Sequence, residues 1–153
     1  MEVELAAHEE RNHWTLMKCK DMPIGTKTIM ALWSFKCKRF PDGTLNKHKA
    51  RLCAHNGQQT WGQDYWDTYA PIVTRASVCL LLIVAKIHGL QSKSIDFVLA
   101  FPQADLDVPV YMELPAGINP IDVSNENRRC YVLKLNKSLY GLKQAGYNWF
   151  EKL

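Results

Sequence analysis

The stretch "SIDFVLAFPQADLDVPVYMELP", Ser94 to Pro115, decides how the chain is read. Ile95, Phe97, Val98 and Leu99 give it the apolar character of a strand, yet Asp96 sits among them. A carboxylate in apolar surroundings is costly unless a partner compensates it. Asp96 is therefore either a strand-end aspartate bound only to water, or an ion that something needs there. Pro102 follows Phe101 and either stops the strand or begins a turn of helix through "PQAD". "VPVYMELP" then reads as a second strand.

Working outward, "CYVLKLN" is a further strand beyond the polar insert "GINPIDVSNENRR". "LKQAGYNWFEKL" has helical spacing, with Leu142, Ala145, Trp149 and Phe150 on one side. That pattern is still running at Leu153, so the expectation is a unit cut off in mid-element. Upstream, "TRASVCLLLIVAKIHG" is the clearest helix. Thr74 or Ser77 can cap its start, and Gly89 suits the left-handed position that ends it. "HNGQQTWGQDYWDTYAPIV" is loop-like. "IMALWSFKCKRF" and "LNKHKARLCA" flank the turn signal "PDGT" and predict a hairpin. "HWTLMKC" predicts a strand running into a turn at "DMPIGT", and residues 2–11 can form a short polar helix.

The composition suits one globular domain: 153 residues, 47% apolar and 22% charged. No apolar run is long enough to cross a bilayer and no signal segment opens the chain, so an intracellular location is expected. Net charge is +4, and the positive residues concentrate in "KCKRFPDGTLNKHKAR". A solvated hairpin accounts for that cluster, and a polyanionic partner would also fit it. Cys19, Cys37, Cys53, Cys79 and Cys130 form no CxxC pair, which argues for reduced, mostly buried thiols. No Walker loop, GxGxxG or Ser/His/Asp arrangement is present, so hydrolases and nucleotide-binding α/β folds carry little weight.

Four blocks in order, "KARLCA", "GQDYWDTYAPIV", "IDFVLAFPQADLDVPVYMELPAGI" and "KSLYGLKQAGYNWFEKL", resemble the reverse transcriptase of copia-type retrotransposons. The lead-in, with Glu10, Asn12, Trp14, Leu16, Pro23 and Gly25, resembles that family as well. The likeness runs nearly end to end. The chain departs from the family's usual pattern at His55–Asn56, Cys79 and Gly146.

The resemblance implies an RNA-directed DNA polymerase with an α/β (α+β) fold. Residues of about 1–75 would form the fingers and about 76–153 a partial palm of mainly antiparallel strands with packed helices, truncated before the rest. It makes Asp96 the catalytic ligand of Mg2+, with Mn2+ as a substitute. Two such ions stabilise the attacking and leaving oxygens of an in-line displacement on a triphosphate. Lys49, Arg51, Phe97 and Phe101 become nucleotide-binding residues, Phe101 beneath the sugar where a 2′-hydroxyl would clash. Gly141, Lys143 and Gln144 fall beside the template–primer or nucleotide. The implied partners are an RNA or DNA template–primer, a deoxynucleoside triphosphate and the rest of the Pol polyprotein, with no membrane. The location would be cytoplasmic, nuclear or an element-derived particle.

The family's two other carboxylates stand side by side on a later hairpin, and the 153 residues hold no Asp-Asp pair. Asp105 and Asp107 in "DLDVP" read as solvated turn residues, without the glycine and glutamate of a calcium loop. The expectation is a fragment inactive alone, lacking the palm hairpin, the thumb and ribonuclease H. The alternative is a non-catalytic nucleic-acid-binding, co-opted or relic fragment, with Trp61, Tyr65 and Trp66 available for stacking.

Overall fold

Apolar alternation and turn residues sort the chain into two sheets in the computed structural model, which describes residues 1–118 and 127–153. The strands are β1 (Trp14–Lys18), β2 (Thr28–Ile29), β3 (Ala31–Arg39), β4 (Leu45–Ala54), β5 (Asp105–Glu113) and β6 (Tyr131–Lys137). One sheet runs β1-β6-β5-β2, antiparallel except where β2 lies parallel to β5. It draws strands from both sides of residue 75. β3 and β4 form a separate antiparallel ribbon. The helices are α1 (Glu2–Glu10), α2 (Arg75–Ile87), α3 (Ala100–Gln103) and α4 (Ala145–Lys152). The mixed, mainly antiparallel α/β class expected from the sequence is the one found.

The core lies where the sheet, the ribbon's base and the turn after β6 meet. Val110 faces Leu135 and Met112 faces Leu133 across β5 and β6, and all four are buried with Ile29, Leu52 and Leu139. Cross-strand apolar pairs of this kind are the unit of sheet stabilisation. Trp33 ties the ribbon to the sheet by donating its Nε1–H to the Ala116 carbonyl at 3.0 Å. At the ribbon's tip the Asp42 carboxylate accepts hydrogen bonds from the Thr44 hydroxyl and amide, which hold its carboxyl below the usual range. At the other end Asn136 of β6 donates to the Asn12 carbonyl and so fastens the turn after α1.

Several sequence expectations change. Residues 91–97 form no strand and run exposed and irregular, with Ile95 71% accessible. An extended segment becomes a strand only beside another backbone, and among the described residues none pairs with it. Asp105 is not a turn residue: it opens β5 and forms an ion pair with Lys137 of β6. The α4 face that packs is Ala145 and Asn148, while Phe150 is exposed. None of the five cysteines is fully buried. Most of the polar insert, residues 119–126, lies outside the described residues.

α2 starts and stops as its sequence directs. Thr74 Oγ1 accepts the Ser77 amide at 3.2 Å, and Gly89 takes φ +64°. Its apolar side chains nonetheless stay uncovered, Leu81 at 70% and Ile83 at 56% exposure. A helix apolar on every side is ordinarily buried.

The two apolar sites should respond differently in urea denaturation. Leu133→Ala should cost about 2–5 kcal/mol, and Leu81→Ala less than about 0.5 kcal/mol. Equal losses would show that α2 is packed in solution.

Candidate functional site

Strand periodicity sets the electrostatics of the ribbon. Lys36 lies opposite Lys49, Lys38 opposite Lys47 and Ser34 opposite Arg51, so these side chains share one face. Trp33, Phe35, Ala50 and Leu52 occupy the other face. Like charges directly across a ribbon repel. Partial burial, and then the charges of Arg51 and Lys38, lower the Lys49 pKa from its ordinary value, with Glu4 opposing them. An anion seated on this face would relieve that repulsion.

A cleft of about 1100 Å³ opens between this face, α1 and residues 96–100. Lys49, Arg51, Asp96, Phe97, Glu4 and Tyr140 are among its lining residues. Asp96, expected at the end of a strand, instead lies exposed in an irregular segment, yet it reaches the same cleft as Lys49 and Arg51. The chain turns after it through Leu99 at φ 52°, a left-handed conformation costing a leucine about 1–2 kcal/mol. Gln103 braces the turn by donating to the Val98 carbonyl at 2.8 Å.

Tyr140 forms the back of the cleft, with the Arg51 guanidinium 5.9 Å from its ring centre. Burial pushes its phenol above the ordinary range, and the Asp96 carboxylate adds a smaller upward push. Phe101 packs on the Tyr140 ring at 5.3 Å and against the core. Phe97 lines the cleft itself and meets Trp149 edge-on at 5.1 Å.

Gly141 fixes this arrangement. The Ala54 amide, at the end of β4, donates to the Tyr140 carbonyl at 2.7 Å. A Cβ on residue 141 would lie 2.2 Å from the Ala54 carbonyl oxygen, and φ there is +91°. Only glycine allows the two backbones to touch.

Lys143 and Gln144 are engaged next to that turn. Gln144 is fully buried; it accepts from Gln59 Nε2 at 2.9 Å and donates to the Asp64 carbonyl at 2.8 Å. Gln59 in turn accepts the Lys143 amide at 2.8 Å. The Lys143 ammonium donates to the Tyr65 hydroxyl at 3.1 Å. These contacts clamp the 56–66 loop, on which Trp61 and Trp66 remain largely exposed. Sequence reading missed Gln59, Tyr140 and Glu4. "LYGLKQA" held the signal for Tyr140, beside its glycine; nothing marked Glu4.

The carboxylates among the cleft's lining residues are Asp96, from the irregular segment, and Glu4 and Glu10, from α1. Among the described residues no three His, Cys, Asp or Glu side chains gather as a metal cluster. Carboxylates that share a cleft with cationic side chains without gathering into a cluster suit a divalent ion arriving with a phosphate ligand better than a resident ion.

Residues 11–153 match the family of reverse transcriptases (RNA-dependent DNA polymerases). The chain is 32% identical over 152 residues to the retrovirus-related Pol polyprotein from transposon TNT 1-94 of Nicotiana tabacum, covering 99% of this chain and 11% of the relative. It is 36% identical over 153 residues to the corresponding polyprotein from transposon RE1 of Arabidopsis thaliana, covering 100% and 10%. The polyprotein from transposon RE2 of the same plant gives 33% over 153 residues, again 100% and 10%. The chain therefore spans about a tenth of the length of these relatives. No solved structure matches it.

Two substitutions at the turn should separate its backbone contact from its side-chain clamp. Gly141→Ala should destabilise by about 3 kcal/mol or more through strain and overlap. Gln144→Leu should cost about 1–3 kcal/mol by stranding Gln59 and the Asp64 carbonyl. Chemical denaturation measures both, and a neutral Gly141→Ala would refute the close approach.

Proposed function

The chain belongs to the reverse transcriptase (RNA-dependent DNA polymerase) family, and on that footing we propose that it forms the nucleotide-gripping part of a copia-type retrotransposon polymerase. It would work in template-directed nucleotidyl transfer as one section of a longer Pol polyprotein. The observation that carries this reading is the meeting of Asp96 with Lys49 and Arg51 in one cleft, from elements far apart in sequence.

Arg51 would hold a phosphate through its planar fork, and Lys49 would add a point charge on the same face of β4. Asp96 would hold a magnesium or manganese ion that arrives with the triphosphate. When bound, that ion would neutralise charge building on the phosphate oxygens. Phe101 would support the sugar from below through Tyr140, with Phe97 at the cleft wall. Gly141, Lys143 and Gln144 would act through position: the glycine keeps Tyr140 against β4, and the other two set the loop beside the template–primer. The described residues contain no helix long and apolar enough to cross a membrane. Within its family the protein would work in the cytoplasm, the nucleus or an element-derived particle.

With no Asp-Asp pair in the sequence, and no three His, Cys, Asp or Glu side chains gathered for a metal among the described residues, these 153 residues alone would bind nucleotide without polymerising it. A second reading, nucleic-acid binding without catalysis, draws on the cationic ribbon face and on Trp61 and Trp66, 67% and 52% exposed.

Equilibrium binding of a deoxynucleoside triphosphate should require Mg2+, and Asp96→Asn or Arg51→Ala should each weaken it by about ten-fold, about 1.4 kcal/mol. Primer extension on an RNA template should be absent. Extension abolished by Asp96→Asn would overturn the inactivity of the isolated chain. Salt-sensitive duplex binding without any Mg2+-dependent nucleotide binding would favour the second reading.

A further inference from the structure

A buried histidine pair at the end of α1 has no part in the nucleotide reading. His8 and His13 are 0% and 3% exposed, and their Nδ1 atoms face each other at 2.8 Å. One Nδ1 must donate and the other accept, so the neutral pair carries a single proton at this contact. His8 Nε2 and Glu4 Oε1 are both buried without a hydrogen-bond partner, 3.7 Å apart. The tautomer in which His13 donates aims His8 Nε2–H at the Glu4 carboxylate, and it suits all three groups at once. His8 also stacks on Trp14 at 5.0 Å, and the His13 amide donates to the His8 carbonyl at 3.1 Å. The pair therefore joins α1 to the start of β1. The same helix presents Glu4, Ala7 and Glu10 to the cleft.

A first added proton preserves the N–H···N bond but places a charge in a dry site. A second sets two N–H donors face to face, and the contact must break. The charged groups around the pair are Glu4 on α1, Arg11 just after it and Lys137 on β6; Lys49 and Arg51 on β4 and the Met1 amino group act on Glu4. Of these, Glu4 alone is negative; Asp105 pairs with Lys137 and Glu10 with Arg11, so Glu4 is the one carboxylate left facing the two protons.

We infer that His8 and His13 form an acid-released latch, holding α1 on β1 while neutral and freeing it, with one wall of the cleft, once the pair is protonated. Burial first, then His13 and Arg11, lowers the His8 pKa from 6.5 to about 4; burial, then Arg11 and Lys137, lowers that of His13. The docked state thus binds fewer protons than the released one. Its stability is full above the ordinary histidine value of 6.5 and is lost as pH falls toward about 4. Glu4, raised chiefly by burial, acts in the opposite direction and blunts the release. The latch stands independently of what the cleft binds.

Hydrogen exchange on the whole chain, corrected for the intrinsic pH dependence of exchange, tests it. Between pH 7 and pH 5 the amides of α1 should lose protection about ten-fold while those of β5 and β6 keep theirs. The H8L/H13L chain, with nothing to titrate at the joint, should keep α1 equally protected across that range. Histidine ring NMR on the unsubstituted chain is decisive even if the double variant misfolds: both rings should titrate below 6.5, in two steps. Unchanged α1 protection down to pH 4, ring titration near 6.5, or simultaneous loss across the sheet would each overturn the latch.

Discussion

The contact between the Ala54 amide and the Tyr140 carbonyl, made possible by the missing side chain of Gly141, holds the rest in register. It is where the ribbon meets the turn that follows β6. Without it the cationic strand and the segment carrying Asp96 would have no common reference. Buried neighbours on both sides, Leu52 on β4 and Leu139 before the turn, give the contact an apolar setting. A backbone hydrogen bond there gains from its low-dielectric surroundings. Gln59 and Gln144 extend the junction sideways with one buried and one part-buried polar bond, so the loop bearing the exposed tryptophans is anchored to the same few residues.

The cleft gathers features that are unfavourable for folding alone. Lysines face lysines across the ribbon, Leu99 adopts a left-handed backbone, and a carboxylate stands in an irregular, accessible segment. Strain and charge crowding of this kind concentrate where a ligand resolves them. Arg51 has the Tyr140 ring nearby, which steers its guanidinium without neutralising it. Glu4 is the partial counterweight, near enough to influence Lys49 while keeping one oxygen unpaired.

Much of the fold was legible in the sequence because its signals were local. "PDGT" specified the ribbon, Thr74 and Gly89 bounded α2, and "VPVYMELP" and "CYVLKLN" stood out as the strands on either side of the polar insert. The failures involved partners distant in the chain. Residues 91–97 look like a strand, but strand formation depends on a neighbouring backbone. Asp105 looks like a turn residue until Lys137 is placed beside it. At the cleft, the two-residue spacing of Lys49 and Arg51 foretold their common face. Nothing local foretold Glu4 or the burial of Gln144. The histidine pair was equally silent, since five residues of separation make no motif and its meaning depends on burial.

The lysine pairs across β3 and β4 also give the ribbon an unusual response to electrolyte. Most surface ion pairs loosen as counterions screen them, but here screening relieves repulsion between Lys36 and Lys49 and between Lys38 and Lys47. At physiological ionic strength the Debye length is about 8 Å, so these opposed pairs are only partly shielded. Added salt should therefore tighten the hairpin while competing with any phosphate for the same surface. Occupancy and rigidity, which usually rise together when a polyanion docks, become separable in this protein by ionic strength alone.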